Sequence, residues 1–212
     1  KNGLNYYTGR DLPLARKITS QAPESVRIIG GKWRSRQLKF IASDGLRPTG
    51  SRIRETLFNW LASHIDGASC LDLFAGSGAL CFEALSRGAK HCTALENNPV
   101  VVSQLTSNKT MLEADNLKII ASDTQGFLSA NKSSNQYDVV FLDPPFDQKI
   151  HAQIAQLLTD GLWLTPHALI YCELPLSEPL SVPVSWELLK DKTAGNVRFC
   201  LFSYVEQSDL IK

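Results

Sequence analysis

Residues Leu71–Leu80 have the sequence LDLFAGSGAL, which combines an apolar strand, a turn that contains Gly76 and Gly78, and the start of a helix. Glycine lets the backbone pass close to a ligand at the beginning of a helix, where free N–H groups and the helix dipole favour negative charge. The turn lacks the full GxGxxG spacing, because Phe74 occupies the place of an early glycine. The stretch therefore predicts a nucleotide-like cofactor site, with a purely structural tight turn as the alternative.

Apolar, strand-sized runs alternate with segments of helical periodicity on both sides of this stretch. The alternation predicts an α/β fold with a doubly wound, mostly parallel seven-stranded sheet that ends in an antiparallel hairpin. The predicted strands are 69–74, 91–96, 117–121, 137–143, 168–173, 186–192 and 197–205. The predicted helices are 51–63, 79–87, 99–112, 124–130 and 149–159.

The segment before this sheet predicts a small basic extension. Gly30-Gly31 is typical of a two-residue hairpin turn, and residues 26–40 around it have strand-like character. Ser51 is placed to cap the helix that follows. We therefore divide the chain into a mobile N-terminal tail at 1–25, a basic β-hairpin, loop and helix at 26–63, and the sheet domain at 64–212.

Charge is distributed unevenly along the chain. Residues 1–60 contain 12 Lys/Arg and 4 Asp/Glu, a net charge of +8, whereas residues 61–212 contain 10 and 17, a net charge of −7. This asymmetry favours a polyanion bound at the basic end, with a solvated basic face as the alternative. The cations proposed to contact nucleic acid are Arg27, Lys32, Arg34, Arg36, Lys39, Arg47, Arg52 and Arg54.

Other bulk properties limit the function classes. The longest apolar stretches are strand-sized, so no membrane-spanning segment is expected. The five cysteines form no CxxC pair and no Cys/His cluster, a pattern typical of reduced thiols in a cytoplasmic protein. We therefore expect a cytoplasmic monomer that uses neither a metal nor a membrane.

Acidic side chains follow several of the predicted strands. Asp72, Glu96, Asp123 and Asp143 lie at strand ends, and open parallel sheets bind ligands beyond the carboxyl ends of their strands. Glu96 is placed to accept both hydrogen bonds of a ribose diol. Asp123 is placed to accept a hydrogen bond from an adenine amino group. The sequence thus predicts one crevice that holds a nucleoside-containing cofactor.

The predicted strand 137–143 leads directly into Asp143-Pro144-Pro145-Phe146, a motif suited to a flat heterocycle with an exocyclic amine. The prolines stiffen the loop, and the Asp143 carboxylate and the Pro144 carbonyl can accept the two amine protons. Phe146 can stack on the ring. Holding the protons frees the nitrogen lone pair and stabilises the positive charge that develops as a methyl group arrives. A turn that merely ends the strand is the alternative interpretation.

Together these motifs resemble those of a known protein class. Phe74–Gly78 and Asp143–Phe146 are similar to the F-x-G-x-G cofactor loop and the [DN]-P-P-[YFW] catalytic loop of S-adenosylmethionine (SAM)-dependent amino-methyltransferases, whose fold is Rossmann-like. Arg27–Arg34, Leu46–Thr49 and Arg52–Leu61 resemble, more closely, the RsmD family of bacterial 16S rRNA (guanine-N2)-methyltransferases. The resemblance covers nearly the whole chain without its N-terminal tail.

The resemblance implies methyl transfer from SAM to the exocyclic N2 of a guanine in a hairpin loop of 16S rRNA. The substrate would be the small ribosomal subunit or its assembly intermediate. The motif from Asp143 to Phe146, including Pro144 and Pro145, would hold the guanine amine. The expected cofactor contacts are Asp72, Phe74, Ala75, Gly76, Ser77, Gly78, Glu96, Asn97, Asp123, Thr124 and Thr49.

Three alternatives share part of this pattern. A DNA adenine-N6 methyltransferase uses the same loop chemistry, but the residues after Phe146 provide a helix and three strands rather than a large insert for reading the major groove. An NAD-dependent dehydrogenase would leave the Asp-Pro-Pro-Phe motif and the basic hairpin without a role. A non-enzymatic RNA-binding ribosome assembly factor is the third, and the intact motif argues against it.

Overall fold

The predicted α/β sheet is present in the computed structural model, which describes residues 24–41, 49–130, 135–145 and 149–206. The strands are β1 (Glu24–Arg27), β2 (Gln37–Phe40), β3 (Ser69–Asp72), β4 (His91–Glu96), β5 (Leu117–Ala121), β6 (Tyr137–Leu142), β7 (Leu164–Pro175), β8 (Trp186–Ala194) and β9 (Val197–Tyr204). The helices are α1 (Ser51–Trp60), α2 (Ala79–Ser86), α3 (Pro99–Leu112), α4 (Thr124–Ala130) and α5 (His151–Asp160).

The large sheet has the strand order β5-β4-β3-β6-β7-β9-β8, and β1 pairs with β2 in a separate two-stranded sheet. The pairs among β3 to β7 are parallel, whereas β9 is antiparallel to both β7 and β8. The predicted doubly wound, mostly parallel sheet with a C-terminal antiparallel hairpin is therefore confirmed. Its central strands are buried on both faces, which explains their continuous apolar runs.

Two hydrophobic cores lie on opposite faces of this sheet. Phe58 of α1, Phe82 of α2 and Leu105 of α3 belong to one core, and α4 and α5 contribute Leu128 and Ile154 to the other. Helices therefore cover both faces, as a buried parallel sheet requires. Within the part of the chain that the structure describes, every helix is too short or too polar to cross a membrane.

The largest boundary difference concerns β7, which begins at Leu164 rather than at residue 168. Leu164 pairs with Tyr137, and the register then shifts before Leu169 pairs with Val139. This irregularity accommodates His167, whose φ of 63° lies in the left-handed region. The strand therefore continues through residues whose local sequence does not resemble a strand.

The start of α1 also differs from the prediction. Gly50, with φ −55° and ψ 144°, is the N-cap residue, and Ser51 is the first residue of the helix. Among the described residues, no side chain forms a capping hydrogen bond at the start of α1. Ser51 therefore does not have the capping role expected from its residue type.

The glycine pair does not form a two-residue hairpin turn, contrary to the prediction. β1 and β2 are antiparallel as expected, but the connection between them spans residues 28–36. Gly31 has a φ of 75°, and a Cβ there would lie 1.8 Å from the carbonyl oxygen of Ser86 at the end of α2. Lys32 N donates to this same oxygen at 2.8 Å. The glycines therefore permit close backbone contact with α2 instead of a tight turn.

The described chain begins inside the predicted tail. Glu24 and Ser25 form part of β1 and pair with Phe40 and Lys39, so the boundary at residue 25 is too late. The rest of the predicted tail (1–23) lies outside the described residues, as do Arg47 and Phe146.

A buried carboxylate on α2 joins the N-terminal extension to the sheet domain. Glu83 has no exposed side-chain surface, and its two carboxylate oxygens accept hydrogen bonds from Ile29 N at 2.7 Å and Gly30 N at 2.9 Å. Arg87 Nε donates to Oε1 at 2.7 Å, and Arg54 Nη1 lies 3.5 Å from Oε2. The segments 26–63 and 64–212 thus share an ion-pair network as well as a core.

We expect Glu83→Gln to reduce the free energy of unfolding by about 3–5 kcal/mol, because it leaves the buried Arg54 guanidinium without its counter-charge. Urea unfolding followed by circular dichroism measures this loss. Glu55→Gln, an exposed substitution on α1, is the matched control and should be nearly neutral. Equal stability of the two variants would contradict the role given to Glu83.

Candidate active site

The carboxyl ends of the parallel strands bring the predicted acidic residues to one edge of the sheet. Asp72 ends β3, Glu96 ends β4, and Asp143 directly follows β6. Glu96 Oε2 accepts a hydrogen bond from Gly76 N at 3.0 Å, which joins the end of β4 to the glycine turn. This edge is where an open parallel sheet binds its ligands.

The turn from Phe74 to Gly78 depends on glycine at its last position. Gly78 is the N-cap residue of α2 and has a left-handed φ of 78°. A Cβ at this position would lie 2.7 Å from ring carbons of Phe82 and 2.8 Å from Leu105. The close contacts and the positive φ together require a residue without a side chain. Gly76, with φ 48°, also has a left-handed conformation.

Asp72 is a buried carboxylate with unused hydrogen-bonding capacity. Its side chain is 1% exposed, and burial raises its pKa to about 7. The described residues provide no hydrogen-bond partner for Oδ2. Because an unsatisfied buried polar atom is costly, this oxygen is suited to a ligand group that is cationic or donates a hydrogen bond.

Glu96 and Asp123 are both held by backbone N–H groups. Glu96 Oε1 accepts a second bond, from Asn98 N at 2.8 Å, which fixes the carboxylate while leaving lone pairs available. Asp123 Oδ1 accepts from Gly126 N at 2.6 Å and so stabilises the start of α4. The Thr124 hydroxyl donates to the Leu73 carbonyl. The structure thus gives Asp123 and Thr124 local structural roles, and their contact with an adenine stays a prediction.

The remaining predicted cofactor contacts surround the same turn. Ala75 and Ser77 are buried within it, whereas Asn97 is exposed after β4. Their contacts with a cofactor also stay predictions.

Thr49 contacts the Asp-Pro-Pro loop. Its hydroxyl donates to Asp143 Oδ2 at 2.9 Å, and its own carbonyl accepts a hydrogen bond from Arg54 Nε at 3.2 Å. Arg54 in turn lies against Glu83, so a continuous series of polar contacts extends from α2 to the carboxylate after β6. Thr49 was predicted to contact the cofactor, and the structure adds a hydrogen bond to Asp143.

Arg54 does not belong to the exposed cations, and its predicted contact with nucleic acid is wrong. Its side chain is 2% exposed and also donates to the Arg27 carbonyl at 3.0 Å. The reason is its position on α1, because Leu57 and Phe58 follow it by three and four residues on the buried face of the helix. Burial lowers the pKa of Arg54, and the Glu83 charge opposes this effect. The other cations proposed to contact nucleic acid that lie among the described residues are all exposed: Arg27, Lys32, Arg34, Arg36, Lys39 and Arg52.

A second carboxylate, which the sequence analysis missed, lies beside Asp143. Leu142 of β6 pairs with Cys172 of β7, so the next residues, Asp143 and Glu173, follow equivalent positions on adjacent parallel strands. Glu173 is 5% exposed, and the Tyr171 hydroxyl donates to its Oε2 at 2.7 Å. Burial raises the pKa of Asp143, and the charge of Glu173 raises it further. The pKa of Glu173 is also raised by burial.

Both missed acids had a recognisable sequence signal. Glu83 interrupts the otherwise apolar helix sequence ALCFEALS, and Glu173 directly follows the apolar run ALIYC. An acid in such a place is seldom buried without a partner. The pattern can therefore locate a buried polar site, but it does not identify the partner.

Within the described ranges, no group of three or more His, Cys, Asp or Glu side chains is arranged to hold a metal ion. The five cysteines are buried free thiols, and burial raises the pKa of Cys81 and Cys92. The side chains described above for the crevice are carboxylates and hydroxyls, and backbone groups accompany them.

Comparison with known proteins gives a consistent family match. Residues 26–203 match the family described as conserved hypothetical protein 95. Ribosomal RNA small subunit methyltransferase D from Haemophilus influenzae is 47% identical over 186 residues, which are 87% of this chain and 96% of that protein. The protein of the same name from Escherichia coli K12 is 44% identical over 185 residues, 87% of this chain and 92% of that protein. The solved structure of yhhF from Escherichia coli is 44% identical and has a TM-score of 0.80, covering 87% of this chain and 100% of that chain.

We expect the stability of the unbound protein to fall relative to an Asp72→Asn variant as the pH rises from about 4 to about 7. Folded Asp72 keeps its proton up to a pKa of about 7, whereas the unfolded carboxyl ionises near 3.8. In this interval the folded state binds more protons, so its stability decreases with rising pH, by up to roughly 4 kcal/mol.

Urea unfolding midpoints of both proteins between about pH 4 and about pH 8 measure the difference. Asp66→Asn, at an exposed position, is the control for the loss of one carboxylate. Parallel curves for wild type and Asp72→Asn would show that the Asp72 pKa is not raised by folding.

Proposed function

The chain belongs to the RsmD family of ribosomal RNA small subunit methyltransferases, described as conserved hypothetical protein 95, and we propose that it transfers a methyl group from SAM to the exocyclic N2 of a guanine in 16S rRNA. The observation that carries this proposal is the Asp143-Pro144 loop at the end of β6, at the same sheet edge as Asp72 and the glycine turn. The proposed acceptor for an amine and the proposed cofactor contacts thus belong to one edge of the sheet.

The residues of the crevice fit SAM. The unpartnered Oδ2 of Asp72 would bind its ammonium group, and the Glu96 carboxylate would accept hydrogen bonds from its ribose diol. The glycine turn lets the backbone approach such a ligand at the start of α2. When bound, SAM supplies an electrophilic methyl group on a positively charged sulfur.

The Asp143 loop is suited to activate an amine. The Thr49 hydroxyl donates a hydrogen bond to Oδ2 of Asp143. The carboxylate can accept further hydrogen bonds, so Asp143 and the Pro144 carbonyl are available to accept from two N–H groups. These acceptors stabilise the positive charge that grows on N2. As the N2–methyl bond forms and the sulfur–methyl bond breaks, N2 loses one proton. The raised pKa of Asp143 makes it a better proton acceptor than an ordinary aspartate.

The basic extension is suited to hold the RNA backbone around a base that leaves its stack. Its exposed cations, including Arg34 and Arg36, lie on a segment that Glu83 fixes to α2, the helix that begins at the cofactor turn. A guanine in a hairpin loop is unpaired or easily extruded, so its N2 can reach a buried site. We include in the proposal a cytoplasmic monomer that acts on the small subunit or its assembly intermediate.

We expect the wild-type protein to transfer labelled methyl from SAM to hypomethylated bacterial small subunits and to produce N2-methylguanosine on nucleoside digestion. Asp143→Ala should lower kcat by about 10²–10³, because it removes an acceptor for the charged amine, and should leave SAM affinity nearly unchanged. Calorimetric SAM binding checks the second point. Asp115→Ala, at an exposed carboxylate, is the control with normal turnover.

The products separate the alternative functions. N6-methyladenosine would keep the loop chemistry but overturn the choice of base. SAM binding without transfer to RNA would favour a DNA substrate or a non-enzymatic assembly factor, and absence of SAM binding would overturn the cofactor. Full turnover by Asp143→Ala would remove the role proposed for that residue.

We expect the double substitution of Arg34 and Arg36 by Glu to weaken binding to small subunits and leave SAM affinity unchanged. Each lost phosphate contact should reduce the slope of log affinity against log salt by about one. Filter binding over a range of salt concentrations measures both effects. Replacing Lys118 and Lys190, two exposed lysines of the sheet domain, by Glu is the matched control for net charge. Equal losses in the two double variants would show that the extension has no specific part in RNA binding.

A further inference from the structure

The Asp143-Pro144 acceptors do not by themselves choose between guanine and adenine. Both bases carry an exocyclic amine with two protons, so both satisfy a pair of acceptors. The difference lies at the adjacent ring nitrogen, because guanine N1 carries a proton, whereas adenine N1 is an acceptor. A residue that selects guanine must therefore distinguish a ring nitrogen that carries a proton from one that does not.

Resting on the proposed function, we propose that Glu173 accepts the N1–H of the target guanine and so makes the site specific for guanine. Asp143 and Glu173 follow paired residues at the carboxyl ends of β6 and β7, so their side chains belong to the same face of the sheet. Thr49 and Phe58 contact this face from the N-terminal extension and α1. Adjacent acceptors thus face adjacent donors, N1–H and the N2 amine.

Glu173 is held firmly at this position. The Tyr171 hydroxyl donates to Oε2 at 2.7 Å, and the backbone carbonyl of Glu173 accepts a bond from His151 Nε2 at 2.8 Å. Pairing with Phe199 of β9 fixes the other side of the strand. A carboxylate has about four lone-pair sites, so the Tyr171 bond leaves acceptor capacity for a base. The side chain is therefore preorganised as an acceptor.

The chemistry of the crevice favours a donor-rich ligand edge. Asp72, Asp143 and Glu173 are buried acidic groups, and the charges of Glu173 and Asp72 add to the effect of burial in raising the pKa of Asp143. Guanine offers three N–H donors along N1 and N2, which can satisfy Asp143 and Glu173 together. Adenine would direct the lone pair of N1 at Glu173 and leave that carboxylate without a donor, a strongly unfavourable arrangement.

A substrate analogue tests this role directly. 2-Aminopurine keeps the amine at C2 but has an unprotonated N1, so it removes the donor that Glu173 is proposed to bind. Small subunits reconstituted with guanine or 2-aminopurine at the methylated position provide two substrates, and the measured quantity is the ratio of their kcat/KM values. We expect the wild type to prefer guanine at least tenfold.

Glu173→Gln should reduce this preference at least tenfold, because an amide can either accept from guanine N1 or donate to the N1 of 2-aminopurine. Tyr171→Phe keeps the carboxylate but removes the hydroxyl that orients it, and should reduce the preference to a smaller extent. Glu187→Gln on the exposed face of β8 is the control with an unchanged ratio. SAM affinity and the unfolding midpoint confirm that each variant is folded.

The outcomes separate this inference from the proposed function. If the wild type methylates guanine N2 and Glu173→Gln retains the wild-type ratio, Glu173 does not select the base, while the proposed function stands. If Glu173→Gln does not fold, an unchanged ratio in Tyr171→Phe overturns the inference. If the wild type does not methylate guanine N2, the proposed function itself fails, and the loss of its premise overturns the inference as well.

Discussion

The buried Glu83 carboxylate holds the two parts of the molecule together. Taking a carboxylate out of water is costly unless its oxygens are satisfied, and here two backbone N–H groups and two guanidinium groups surround it. One of these partners, Arg54, also binds the Thr49 carbonyl, and Thr49 donates to Asp143. The cofactor-side helix α2, the N-terminal extension and the loop after β6 are therefore fixed relative to one another by a single network.

The site combines acidic groups in the crevice with cations on the neighbouring surface, and the proposed substrate explains both. Burial disfavours ionisation of Asp72, Asp143 and Glu173. A ligand that brings positive charge or N–H donors would therefore stabilise the ionised forms of these carboxylates. SAM brings both, and a guanine edge brings donors. The exposed cations of the extension are proposed to bind phosphates instead, so that the two signs of charge would act on different parts of one RNA substrate.

Family membership and site geometry support the same reaction but address different questions. The relatives from Haemophilus influenzae and Escherichia coli are named small-subunit rRNA methyltransferases, which favours an RNA substrate over the DNA alternative. The role proposed for the Asp143 loop is to hold an attacking amine, which a dehydrogenase would not need. Neither the names of these relatives nor the Asp143 loop distinguishes guanine from adenine. The placement of Glu173 beside Asp143 offers a physical basis for that distinction.

The sequence by itself determined the alternation of strands and helices, the glycine turn and the acids that end β3, β4 and β6, because these features depend on local periodicity and backbone freedom. It led to wrong interpretations where a distant contact overrides local preference. Gly30-Gly31 has the composition of a tight turn, yet it packs against Ser86, which is far away in the chain. Arg54 has the chemistry of an RNA contact, yet the apolar face of its helix buries it beside Glu83. Only the pairing of strands could place Glu173 beside Asp143, since register between distant segments is a property of the folded sheet.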